Sequence, residues 1–210
     1  MTYAPFDMDC PVWSLDQSPI LCGFGGDQPG VFSVNASDGG DPVRLTTNPY
    51  SNVDQPTDIS PDGTQFVFVR FKPGPNDRAR HSALFVENVD GTGLRQITPY
   101  GLTHAHDFPW AAWSPDGQKI ISATTQGLLF TVQPDGSGLR VIHLQTRTGD
   151  YLALEPHWSP DGTRIVFLMF LSTMGEGIYT AKPDGSDVVQ VTNAPTLDSA
   201  PDWGPHPLAT

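Results

Sequence analysis

Apolar residues along this chain fall in short runs of about four or five, and turn residues break every run. The stretch from 110 to 142 shows the pattern best. An apolar segment ending at Trp113 meets Ser114-Pro115-Asp116-Gly117, and Lys119-Ile120-Ile121-Ser122-Ala123 follows. Next come Leu128-Leu129-Phe130-Thr131-Val132, a second turn at Pro134-Asp135-Gly136-Ser137, and Leu139-Arg140-Val141-Ile142. Runs this short, bounded by Pro, Asp and Gly, predict strands. Proline presets φ at the first central turn position, and glycine accepts the left-handed conformation that closes a hairpin. We expect a three-residue turn that pairs Ser114 with Gln118, and a meander of four strands. No ten-residue segment carries apolar spacing at three and four, so helix is close to absent.

The same grammar recurs. Trp-Ser-Pro-Asp-Gly returns at Trp158 to Gly162, Ile59 to Gly63 is a near copy, and Trp13-Ser14-Leu15-Asp16 and Pro201-Asp202-Trp203-Gly204 are worn ones. The anchors 13, 59, 113, 158 and 203 are separated by 46, 54, 45 and 45 positions. A fixed period of this size marks stacked units that bury their apolar faces against one another. Four-stranded meanders repeated at this spacing predict an all-β fold, a β-propeller of four-stranded antiparallel blades. A β-sandwich also has many short strands but does not repeat its turn residues at one period. The repeats span about 9–46, 54–98, 107–142 and 155–192, with a partial fifth at 198–204, in one domain covering 1–210.

The Trp-Ser-Pro-Asp-Gly hairpins, the Ile165-Val166-Phe167 and Gly177-Ile178-Tyr179 strands, and Asp-Gly-Ser before a Val-Thr or Leu-Thr end resemble TolB-type propeller repeats, a WD-repeat-like group. The resemblance covers about Cys10 to Gly204. It implies a propeller that acts as a protein-binding platform in the bacterial envelope, as an accessory domain of serine peptidases, or as a carbohydrate-active enzyme. It also implies a periplasmic or extracellular location. Related rings resemble closed circles of six or more blades. Here four units are complete, and both ends offer the same inner strand, at Pro11 to Ser14 and at Ala200 to Trp203. The chain is therefore expected to be a piece of a larger ring, to pair with a second copy as a homo-oligomer, or to close as four blades with a spare strand.

A net charge of −12 argues against nucleic acid and anionic membrane as partners. No run approaches the length of a membrane span, and Met1 to Asp7 lacks the basic and apolar regions of a signal peptide. Gly 21 and Pro 21 follow from the number of turns. Matching the first unit to the third puts Cys10 opposite Cys22, where a cross-strand disulfide or two buried thiols both fit.

No Gly-x-Ser-x-Gly, phosphate loop, zinc-type cysteine spacing or His-Glu-x-x-His is present. Asp62, Asp116 and Asp161 recur as turn formers. His104, His106 and Asp107 lie in the connection entering the third inner strand. Asp58, His157 and Asp202 each stand one residue before an anchor, so they should point the same way from successive inner strands towards the channel. His104, His106 and His157 with carboxylates are candidates for a divalent metal, as in propeller lyases acting on pectate fragments, or for a polar channel lining. No other cofactor is implied. Trp13, Trp113, Trp158 and Trp203 should fill equivalent spaces between blades, whereas Trp110 and Phe108 are expected near the channel mouth as a contact surface. The insertions 72–82 and 143–154 are where recognition tends to sit. The expected function is a non-catalytic scaffold for a protein or peptide partner. A metal-assisted carbohydrate enzyme and a structural segment of a larger assembly are the alternatives.

Overall fold

The computed structural model describes residues 8–13, 19–24, 29–38, 42–50, 54–73, 80–103, 110–146, 151–171, 175–192 and 201–203. These form sixteen strands in four antiparallel sheets of four, each a simple meander. The first holds β1 (Met8–Trp13), β2 (Pro19–Phe24), β3 (Gly30–Asn35) and β4 (Val43–Arg44). The second holds β5 (Asp54–Ile59), β6 (Gln65–Pro73), β7 (Arg80–Asn88) and β8 (Arg95–Gln96). The third holds β9 (Ala111–Trp113), β10 (Ile120–Ala123), β11 (Leu129–Val132) and β12 (Arg140–Val141). The fourth holds β13 (Tyr151–Trp158), β14 (Ile165–Leu171), β15 (Gly175–Ala181) and β16 (Val189–Gln190). The first strands β1, β5, β9 and β13 touch in sequence, so they form the inner edge of a row of blades. This is a propeller architecture, and no sheet closes on itself.

The Ser-Pro-Asp-Gly hairpin differs in one respect from its sequence reading. The Ser114 amide bonds to the Lys119 carbonyl at 2.8 Å and Trp113 pairs with Ile120, so the loop has one residue more than expected. The extra residue is accommodated because the serine hydroxyl joins the ladder. It donates to Asp116 at 2.6 Å and accepts from the Lys119 amide at 2.9 Å. Ser60 with Asp62 and Ser159 with Asp161 repeat the arrangement. Gly63, Gly117 and Gly162 close these loops at φ of +72, +70 and +69.

Register explains how the blades stack. The anchor and alternate residues of β6, β10 and β14 face back onto the preceding blade. Ile59, Phe66, Phe68 and Phe85 cover Leu21 and Val31 of the first blade. Trp113, Ile120, Phe130 and Val132 cover Val67, Leu84 and Ile97 of the second. Ile165, Phe167 and Tyr179 cover Ile121, Leu129 and Ile142 of the third. Each blade therefore has a back face and a forward face of opposite strand parity.

This polarity corrects the expectation for the tryptophans. Trp113 is 6% exposed, whereas Trp13 is 58% exposed at the same repeat position. Trp13 faces backward from the first blade, and among the described residues no blade stands behind it. Trp158 and Trp203 are half-buried.

The seam between the first two blades also holds a buried ion pair. Arg70 grips Asp54 with two bonds, at 2.9 and 2.6 Å, and Thr46 and Asn48 donate to the same carboxylate. The Arg70 guanidinium also lies over the Phe68 and Phe85 rings. Every acceptor position of Asp54 is thus used, which is the condition for a buried charge to be tolerated.

In the first blade Asp9 pairs with Gly23 and Val12 with Leu21, so a bulge at Cys10 and Pro11 lies against Cys22. Cys22 is a free, buried thiol. The side chain of Cys10 lies outside the described residues, as do those of residues 74–79 and 147–150 in the two long insertions.

Candidate functional site at the inner strands

Asp58, His157 and Asp202 come together as the repeat position requires. Asp58 and His157 each lean from their inner strand towards the next. Asp58 accepts the Trp113 amide of the following blade at 2.7 Å through Oδ2, and its own Ile59 amide at 2.8 Å through Oδ1. His157 Nδ1 lies 3.9 Å from Oδ1 of Asp202 on the following segment. Asp202 in turn accepts the Trp203 amide at 2.7 Å. The equivalent positions in the other inner strands are Val12 and Ala112, which pack with the interblade core.

Burial decides the charge states. Desolvation pushes the Asp58 carboxyl up to about 7, against the pull of its two backbone donors, and the nearby Asp202 charge raises it further. Desolvation lowers the His157 imidazole, and Asp202 opposes that shift. Burial therefore favours the protonated Asp58 carboxyl and the neutral His157 imidazole over their charged forms. By contrast the turn aspartates are held low by hydroxyl and amide donors, Asp161 down to about 2 with Ser159 as the first cause. Their oxygens are occupied in their own loops, so they are turn formers as expected.

Trp110 joins the cluster. Its ring meets His157 edge-on, with centroids 5.6 Å apart, and its carbonyl accepts the Ser122 hydroxyl at 2.7 Å. The ring is half-buried rather than exposed, because His157 and the inner strands flank it. The indole N–H groups of Trp110, Trp113, Trp158 and Trp203 are buried without an acceptor among the described residues. His104, His106, Asp107 and Phe108 lie outside the described residues. Among the described residues no three of His, Cys, Asp and Glu are grouped as metal ligands. Asp58 has both oxygens engaged with backbone amides, which makes it a strut between blades more than a ligand.

Beside Trp203 lies a cavity of about 440 Å³ lined by Val166, Ile178, Thr180, Val191, Pro201 and Asp202. The sequence reading did not single it out. Its signal was present, since Val166, Ile178 and Val191 stand at the repeat positions of Ile121, Leu129 and Ile142.

No protein-family model matches the chain, and no curated protein matches it. Solved structures do. TolB from Acinetobacter baumannii superposes with a TM-score of 0.71 at 17% identity, over 95% of this chain and 47% of that one. An oligogalacturonate lyase from Vibrio parahaemolyticus gives 0.64 at 15% identity, over 92% and 55%. A puromycin hydrolase gives 0.64 at 18% identity, over 88% and 30%. The fold is a TolB-like β-propeller. This chain spans about half of the length of the first of these proteins and less than a third of the hydrolase.

Proposed function

We propose that this chain is a non-catalytic propeller that binds a protein or peptide partner at the inner ends of its blades. The observation that supports this is the convergence of His157, Asp202 and Trp110 from separate segments onto one polar, aromatic-flanked spot, with Asp58 bracing the neighbouring inner strands. The exposed Asp202 carboxylate there favours donors such as lysine, arginine or exposed backbone amides, and the Trp110 ring offers a flat apolar neighbour. No nucleophile is paired with a base among these residues, so the arrangement serves recognition better than bond making. A location in the bacterial envelope belongs to the same reading and rests on the TolB-like fold.

Selection of a random peptide library on the immobilised chain tests it. Recovered peptides should be enriched in Lys and Arg, and their capture should fall at least about tenfold on Asp202→Asn, the loss of one charge-assisted contact, and should also fall on His157→Ala. Peptides that bind both variants as well as the parent would reject the site.

The second reading is a metal-assisted carbohydrate enzyme using His104, His106 and His157. What favours it is a half-buried imidazole beside a carboxylate and against Trp110, which residues 104–109 directly precede in sequence. Stoichiometric Mn, Ca or Zn in the purified protein, lost on His157→Ala, would support it over the first.

A further inference from the structure

The two ends of the blade row carry the two kinds of face that stack within the chain. At the C-terminal end, Val166, Ile178 and Val191 occupy the positions of Ile121, Leu129 and Ile142. Those three are buried beneath the fourth blade. Val191 by contrast is 59% exposed and Ile178 lines the open cavity, while Val166 between them is already buried. At the N-terminal end, Ile20, Phe32 and Val34 occupy the positions of Ile120, Phe130 and Val132. That trio is fully buried in the third blade, whereas the first-blade trio is only half-buried. The chain joins such faces three times within itself, always forward face to back face.

One detail fixes how a fourth joint would form. Pro201–Trp203 lies on the forward face of the fourth blade, where β13 lies on the third, yet it belongs to no sheet. It takes the place of an inner strand, and among the described residues no strand pairs with it. In the first blade β1 has those three strands, but its Trp13 points into solvent. An inner strand seated on a blade without a sheet and one in a sheet without a blade are complementary.

We propose that two copies of this chain associate head to tail by strand exchange. Pro201–Trp203 of one copy pairs with β2 of the other in place of β1, and Ile20, Phe32 and Val34 of the second copy close over Val166, Ile178 and Val191 of the first. Both requirements are then met by residues the chain already carries. The contact is heterologous, and it closes when each copy gives one end and receives one. Asp202 belongs both to Pro201–Trp203 and to the polar cluster, so the test places its variants at Val34 and Val191 and does not read peptide capture.

Light scattering of the purified full chain at micromolar concentration, with point variants, tests the proposal. The parent should run at twice the 22.7 kDa chain mass. Val34→Asp blocks the head and Val191→Asp blocks the tail, so each alone should run at the chain mass. Their equimolar mixture keeps one good head and one good tail, and should recover the doubled mass. Trp13→Asp acts on the strand that leaves, so it should run at the doubled mass like the parent. Circular dichroism melts confirm folding, with Val34→Thr replacing Val34→Asp if the latter unfolds. A monomeric parent, a dimeric Val34→Asp protein, a mixture that stays monomeric, or a Trp13→Asp variant as monomeric as Val191→Asp would each overturn it.

Discussion

Trp113 and Trp13 share a repeat position but not an environment, so replacing each with alanine isolates what a neighbouring blade contributes. Trp113 is 6% exposed and packs with Val67, Leu84 and Ile97 of the second blade. An aromatic side chain of this size buries about 150–250 Å², worth roughly 4–6 kcal/mol at about 25 cal/mol per Å². Alanine keeps part of that contact, the cavity left behind adds cost, and the orphaned indole N–H is relieved. The net for Trp113→Ala is about 3–5 kcal/mol, within the usual range for emptying a large aromatic site. Trp158→Ala, from a half-buried start, should fall at the lower end. Trp13 has less than half its surface covered, and Trp13→Ala should cost at most about 1–2 kcal/mol by the same area scaling. Urea unfolding followed by far-ultraviolet circular dichroism suits the series, because the fluorophore itself is being removed. Equal losses for Trp13 and Trp113 would refute the stacking polarity on which the blade interfaces are built.

Three further outcomes follow from the same structure. Arg70→Met strands the buried Asp54 carboxylate and should cost about 3–5 kcal/mol in thermal or urea unfolding, well above an exposed-surface change. Gly185→Ala sets a Cβ against the His143 carbonyl at φ +88, whereas Gly63→Ala at φ +72 meets open space. Gly63→Ala should cost about 1–2 kcal/mol and Gly185→Ala clearly more, read from their melting temperatures. Asp58 and the buried Glu87 are both raised to about 7, chiefly by desolvation, from ordinary values of 3.8 and 4.5. The folded state then holds protons that the unfolded state has released, so their contribution is full below about pH 4 and is lost as pH rises towards 7. Stability should fall over that window by at most about 1.4 kcal/mol per pH unit for each group, and Glu87→Gln should flatten its share.

The blade pattern was legible because its signals are local. Ser-Pro-Asp-Gly sets a hairpin through its own bonds, and short apolar runs between such turns have no alternative to strands. The placing of Asp58, His157 and Asp202 on one side followed from their common offset before the anchors. What escaped was set by neighbours distant in the chain. The hairpin length depends on a serine hydroxyl entering the ladder. Trp13 looked equivalent to Trp113 because residue identity does not reveal whether a blade stands behind it. The Asp54–Arg70 pair unites residues sixteen apart with Thr46 and Asn48 of the preceding blade, and no periodicity marks it. The cavity beside Trp203 could have been found by carrying Leu129 and Ile142 forward one repeat.

The central claim, recognition at the inner strands, is tested most directly by the indole N–H signals of the five tryptophans in a nitrogen–proton correlation spectrum. Trp110 lies against His157 and its N–H has no acceptor among the described residues, so its signal reports on the candidate site without a substitution. Titration with a basic peptide selected on the immobilised chain should move the Trp110 signal and leave that of Trp13, on the far face of the first blade, in place. A peptide that binds while the Trp110 signal stays fixed would contradict the account.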